Sequence, residues 1–213
     1  MIDHLPRVIE EAPGRPTRGD ENHPMRKVTQ QVAFDPDGWT PERAAKVGEL
    51  FDSLAGEWHT REHPLRLVPV ADAFERGGPL GYGTGLEIGS GTGLGTAWLA
   101  ARFQTLVAID LSIEMLRLAP ANEAPRVQAD ASLLPVPDAS VDAVVLINML
   151  LFPNEVARVL KPDGALVWVN TSGDRTPIYL AADEVDQAMP GSWSGVASEA
   201  AWGTWAVLRR ASS

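Results

Sequence analysis

Glu87, Gly89, Gly91 and Gly93 alternate with Ile88, Ser90 and Thr92 at the point where a short apolar run ends and a helical pattern begins. Glycines accept positive φ and carry no Cβ, so a backbone built this way turns sharply and lets a ligand lie directly on it. The helix that follows, expected over 92–102, offers unpaired N–H groups at its start. Spacing narrows the ligand. A dinucleotide fingerprint needs a third glycine at position 94, which is Leu94, and no Lys-Ser or Lys-Thr pair follows the glycines as a Walker loop requires. Two more acids, Asp110 and Asp130, close later apolar runs. Asp110 comes some twenty residues after the glycine turn, where a carboxylate can accept two hydrogen bonds from a ribose diol.

The elements that must position these residues alternate. Strands are expected at 85–88, 105–109, 126–129, 141–147 and 165–170, with helices at 92–102, near Met115, Leu116 and Leu118, and at 154–160. Val141 to Ile147 is a continuous apolar run ending in Asn148, as suits a central parallel strand. A helix over 178–189 and a hairpin of 196–200 with 203–209 complete the pattern. The expected fold is α/β: a Rossmann-like doubly wound sheet, mostly parallel with a C-terminal antiparallel hairpin, and helices on both faces.

Upstream, residues 1–38 are rich in Pro, Gly and charge and read as an N-terminal arm that is loosely ordered unless it docks on the domain, with strand character only over 28–34. Thr40, Pro41 and Glu42 form a helix start, and Val47, Leu50, Phe51, Leu54 and Trp58 recur at helical spacing as one buried stripe. A second helix over 65–75, kinked near Pro69, ends at Gly77-Gly78-Pro79. Residues 39–79 thus form a helical lid segment and 80–213 the binding core, within one domain.

Composition excludes several functions. The 213 residues contain no cysteine, which removes disulfides, zinc-thiolate sites and thiol nucleophiles; no metal site is expected. A net charge of -10 disfavours broad binding to a phosphate backbone. No apolar run has membrane-spanning length and the N-terminus lacks a signal-peptide layout, so a cytoplasmic protein with no membrane partner is expected. The seven tryptophans, among them Trp193, Trp202 and Trp205, are expected to fill the core or a subunit contact, which leaves a homodimer open.

The glycine motif, the serial acids, the segment Leu133-Leu134-Pro135-Val136-Pro137-Asp138-Ala139-Ser140-Val141-Asp142 and the run Arg158-Val159-Leu160-Lys161-Pro162-Asp163-Gly164-Ala165-Leu166 together resemble the class I S-adenosylmethionine-dependent methyltransferases, in particular the small-molecule group called type 11. The resemblance spans about 85 residues, 86–170. It implies that Gly89, Ser90, Gly91 and Gly93 lie against the methionine part of the cofactor and that Glu87 is near its ammonium. Asp110 would hold the ribose, Leu111 and Met115 would flank the adenine, Asp130 and Ala131 would read its edge, and Asn148 and Met149 would line the sulfonium end. The products would be S-adenosylhomocysteine and a small molecule methylated on O or N.

Sequence also marks departures. Asn148 runs almost straight into Phe152-Pro153, whereas the family has a longer loop that helps form the acceptor pocket; the acceptor site is therefore more open or is completed by another segment. Asn148 is followed by Met149, so the Asn-Pro-Pro-aromatic motif of DNA-base methyltransferases is absent and DNA is not an expected partner. His59 and His63 are the candidate general bases, with Trp58 and Arg61 shaping the acceptor site. Other readings are a catalytically idle cofactor-binding module acting through protein association, and an RNA or protein methyltransferase.

Overall fold

The computed structural model describes residues 1–16, 19–20, 22–121 and 124–211. In chain order its elements are β1 (Ile2–His4), α1 (Pro24–Phe34), α2 (Pro41–Leu54), 3-10 turns at Ala55–Arg61 and Pro64–Arg66, α3 (Val68–Arg76), β2 (Thr84–Ile88), α4 (Thr96–Ala100), β3 (Thr105–Asp110), α5 (Ile113–Leu118), β4 (Arg126–Gln128), β5 (Val141–Ile147), α6 (Pro153–Val159), β6 (Leu160–Asn170), a 3-10 turn at Gly173–Arg175, α7 (Ala182–Ala188), β7 (Trp193–Ala200) and β8 (Gly203–Arg210). One eight-stranded sheet runs β1-β7-β8-β6-β5-β2-β3-β4. Strand β8 is antiparallel to both β6 and β7, and every other pairing is parallel. The mixed, mostly parallel sheet with its C-terminal hairpin is the fold expected from the sequence.

Strand β5 shows why the apolar run must be central. Val144 and Leu146 join the cluster on one face with Trp168 of β6 and Val156 of α6, while Ala143 and Val145 join the opposite cluster with Val70 of α3 and Leu99 of α4. Both faces are covered, so no alternation is needed.

Where it is described, the N-terminal arm docks on the domain. Ile2, Asp3 and His4 pair in parallel with Gly195, Val196 and Ala197, and Trp202 donates its indole N–H to Ala12 O at 2.7 Å. Residues 28–34, expected as a strand, belong to α1. His23 caps this helix by accepting the Met25 N–H, Pro24 occupies its first turn, and Thr29, Val32 and Ala33 pack inward. That burial overrides the β preference of Val28, Thr29 and Val32.

Two further expectations change. The helix after the glycine turn covers only Thr96–Ala100, because Gly89, Gly91 and Gly93 all have positive φ and lengthen the turn. Helix α2 starts where expected, with Thr40 Oγ1 accepting the Arg43 N–H, yet none of its fourteen residues is buried. Its apolar stripe lines cavities, with Phe51 also packed against the core.

Candidate functional site

The carboxyl ends of β2, β3 and β5 converge below α2 and the 3-10 turns on a cavity of about 240 Å³. At its floor the backbone bends over three left-handed glycines. A Cβ on Gly89 (φ 74°) would lie 2.5 Å from Met149 Sδ, so both conformation and packing require glycine there. Over Gly91 (φ 56°) lies the indole of Trp58, whose Nε1 would be 3.3 Å from an added Cβ. Glu87 is buried at the end of β2 and accepts from Thr96 Oγ1 at 2.6 Å.

Asp110 is held from two sides. Its Oδ2 accepts the Gly91 N–H and its Oδ1 the Ser112 N–H, each at 2.8 Å. Burial pushes its carboxyl above the ordinary carboxylate range, and nearby Asp52 adds to this against the pull of the amides. Asp52, on α2, accepts from Ser112 Oγ at 2.5 Å and ties α2 to the start of α5. At the far wall Asp130 accepts from Trp39 Nε1 and from the Ser132 N–H.

Asn148 adopts φ 53°, a left-handed conformation that asparagine tolerates better than most residues. Its amide donates to Thr171 Oγ1 at 2.9 Å and its Oδ1 accepts the Thr171 N–H at 2.8 Å. This pair of hydrogen bonds joins the ends of β5 and β6.

Of the residues singled out in the sequence, Glu87, Gly89, Ser90, Gly91, Asp110, Leu111, Met115, Asp130, Ala131, Asn148 and Met149 all border this cavity. Gly93 does not. A Cβ there would meet Pro120 and Ala119 on the other side of the turn, and Leu94 and Gly95 take its place on the cavity wall. His59 is exposed, with Nδ1 3.1 Å from Gly56 O, and borders neither this cavity nor the one beside it.

That neighbouring cavity measures about 450 Å³ and shares Phe51, Trp58, His63 and Asn148 with the first. Arg61 lies over the Trp58 ring at 4.1 Å and also borders it. Its outer wall comes from Gly14, Pro16, His23 and Met25 of the arm. Sequence reasoning missed Trp39 and His23, because nothing local signals that the arm folds back over the sheet.

The family comparison decides the assignment. Residues 86–168 match the family described as "Methyltransferase domain". The chain is similar to a protein named demethylmenaquinone methyltransferase from Mycobacterium sp. (strain KMS), 32% identical over 168 residues that cover 72% of each chain. The chain belongs to the class I S-adenosylmethionine-dependent methyltransferases. A second protein of the same name, from Corynebacterium urealyticum, is 39% identical over 88 residues, 38% of each chain. Among solved structures, one titled "DhpI-SAH complex structure" has a TM-score of 0.65 at 19% identity, covering 88% of this chain and 98% of that one. A SAM-dependent methyltransferase from Aquifex aeolicus has a TM-score of 0.58 at 19% identity, covering 72% and 96%. These two share the fold.

The methyltransferase cavity fits its cofactor on independent grounds. Among the described residues its lining carries four carboxylates, Glu62, Glu87, Asp110 and Asp130, against the guanidinium of Arg66, which suits a ligand with a sulfonium and an ammonium. The buried Ser90 Oγ has no hydrogen-bond partner among the described residues, a polar atom left for a ligand beside the glycine turn.

Proposed function

We propose that this methyltransferase holds S-adenosylmethionine in the 240 Å³ cavity and methylates an oxygen or nitrogen of a small molecule bound in the 450 Å³ cavity. The shared wall of Phe51, Trp58, His63 and Asn148 carries the reading, because it makes the two spaces neighbours at the expected sulfonium end. Gly89, Ser90 and Gly91 bind the methionine part, Glu87 orients its ammonium, Asp110 binds the ribose, and Leu111, Met115, Asp130 and Ala131 enclose the adenine. Asn148 and Met149 border the reacting end. When bound, the cofactor supplies a methyl group on positively charged sulfur, and the acceptor lone pair takes that methyl while the carbon–sulfur pair stays on sulfur.

The chain's own contribution is orientation and exclusion of water. Trp58 covers the glycine turn, Val47 and Phe51 of α2 line the cavity, and the Asn148–Thr171 pair fixes the wall between the cavities. A cavity of 450 Å³ is in the size range of small-molecule sites. Demethylmenaquinone, named for the relatives, enters the panel of small acceptors as the competing carbon acceptor, and its methylation on a ring carbon would contradict the oxygen or nitrogen reading. Calorimetry with S-adenosylhomocysteine, followed by transfer of labelled methyl across that panel, tests the reading. Binding with turnover of a small acceptor is expected; binding with labelling only of macromolecules would contradict it.

A further inference from the structure

The two neighbouring cavities carry opposite charge. Glu62 and Arg66 border both cavities; beyond that shared pair the described lining of the cofactor cavity adds three carboxylates, Glu87, Asp110 and Asp130, whereas that of the second adds two guanidiniums, Arg61 and Arg175. In a chain of net charge -10 this is a local reversal. From it we infer that the second cavity selects an acceptor with an apolar body and an anionic oxygen group, an inference that rests on the proposed placement of cofactor and acceptor.

Three features support this chemistry. The guanidinium of Arg175 makes no hydrogen bond or ion pair with the described residues, although it borders the cavity. Guanidinium is suited to an oxyanion, which it can engage through two parallel N–H bonds.

The histidines point the same way. Nδ1 of His23 accepts the Met25 N–H and Nδ1 of His63 accepts the Leu65 N–H, both at 3.2 Å. Each neutral ring therefore carries its proton on Nε2, which makes that nitrogen a donor and not a base. His63 is also fixed against Trp202, ring centroids 4.6 Å apart. The general-base role expected of His63 thus gives way to donation toward an acceptor oxygen. An acceptor that arrives deprotonated needs no base, so methyl transfer to it does not depend on His63 acting as one.

Finally, the body of the ligand has apolar surface to meet. Leu50, Phe51 and Leu54 of α2 face the cavity from one side, and Met25, Ile178 and Trp202 from others. These explain why a helix with an apolar stripe buries none of its residues.

The test uses 1-naphthoate and its neutral counterpart 1-naphthamide as probes, titrated into the full chain saturated with S-adenosylhomocysteine and read by quenching of tryptophan fluorescence. Naphthoate is expected to bind at least tenfold more tightly than naphthamide. Arg175→Gln, which borders only the second cavity, should reduce that preference several-fold while leaving the affinity for S-adenosylhomocysteine within twofold, and His63→Gln should reduce the preference as well. Equal binding of the two probes, or no binding of naphthoate to a protein that binds S-adenosylhomocysteine, overturns the anionic acceptor and leaves the cofactor site standing. Failure of S-adenosylhomocysteine itself to bind overturns the cofactor placement and this inference together.

Discussion

The indole N–H of Trp39 lies 2.9 and 3.0 Å from the two carboxylate oxygens of Asp130, joining residues ninety-one positions apart. Trp39 precedes the cap of α2, and its ring packs edge-on against Phe152 at 5.2 Å. The acid expected to read adenine is therefore aimed by a residue from outside the sheet. Trp39→Phe keeps the ring and removes the donor. We expect it to weaken S-adenosylhomocysteine about fivefold, near 1 kcal/mol, with the melting temperature little changed. Tighter binding would show instead that indole and ligand compete for Asp130.

Asp110 should dominate cofactor affinity. Asp110→Ala removes a charged acceptor and is expected to cost about 2 kcal/mol, roughly thirtyfold, in calorimetry. Acidification supplies a second readout. Burial raises this carboxyl, so affinity for the ribose diol should fall with decreasing pH sooner than an ordinary carboxylate would dictate. For stability of the unliganded protein the sign is opposite: the contribution of Asp110 is present below its unfolded value and is lost as pH rises through the raised one.

The glycines are not equivalent. Gly89→Ala forces a side chain onto Met149 at φ 74°, and we expect a loss of about 2 kcal/mol of stability together with loss of cofactor binding. Gly93→Ala at φ 80° should be strained to a similar degree, yet its Cβ meets Pro120 and Ala119 away from the cavity. Whatever Gly93→Ala protein folds should retain most of its affinity. Thermal melts beside calorimetry distinguish the two.

Arg158 has a structural task that accounts for its place in the sequence motif. It donates to both oxygens of Glu155, to Asp138, and to the carbonyls of Leu134 and Val136, clasping the loop before β5 to α6. Its guanidinium holds Glu155 below the usual carboxylate range, so the stability this pair contributes is present at neutral pH and is lost as pH falls through that lowered value. Arg158→Met should cost about 2 kcal/mol in denaturant melts and flatten the acid limb of the stability profile.

His59 is predicted to be dispensable. His59→Ala should leave cofactor affinity and methyl transfer unchanged, because the ring is exposed and borders neither cavity. A large loss of turnover with intact cofactor binding would contradict this.

Much of the core could be read from the chain because its determinants are local. The glycine turn, Asp110 and the apolar run of β5 each carry their reason within a few residues. The arm could not be read that way. The placement of Ile2 beside Gly195 and of Ala12 against Trp202 depends on contacts about 190 residues apart, which no periodicity encodes. The same limit hid the wall that His23 and Met25 give to the second cavity. Alternation of apolar residues in α2 was visible, but whether such a stripe meets side chains or open space is decided only by tertiary packing. Residue type alone marks His63 as a candidate base; that its Nδ1 accepts the Leu65 amide is a detail of local geometry that residue type does not carry.

The most direct measurement is a crystal structure of the protein grown with S-adenosylhomocysteine. The account predicts the adenosyl group in the 240 Å³ cavity, with the ribose hydroxyls on Asp110, the adenine beside Asp130, and the sulfur facing the space bordered by His63 and Arg175. An adenosyl group bound elsewhere, or lying in this cavity with its ribose away from Asp110, would contradict it.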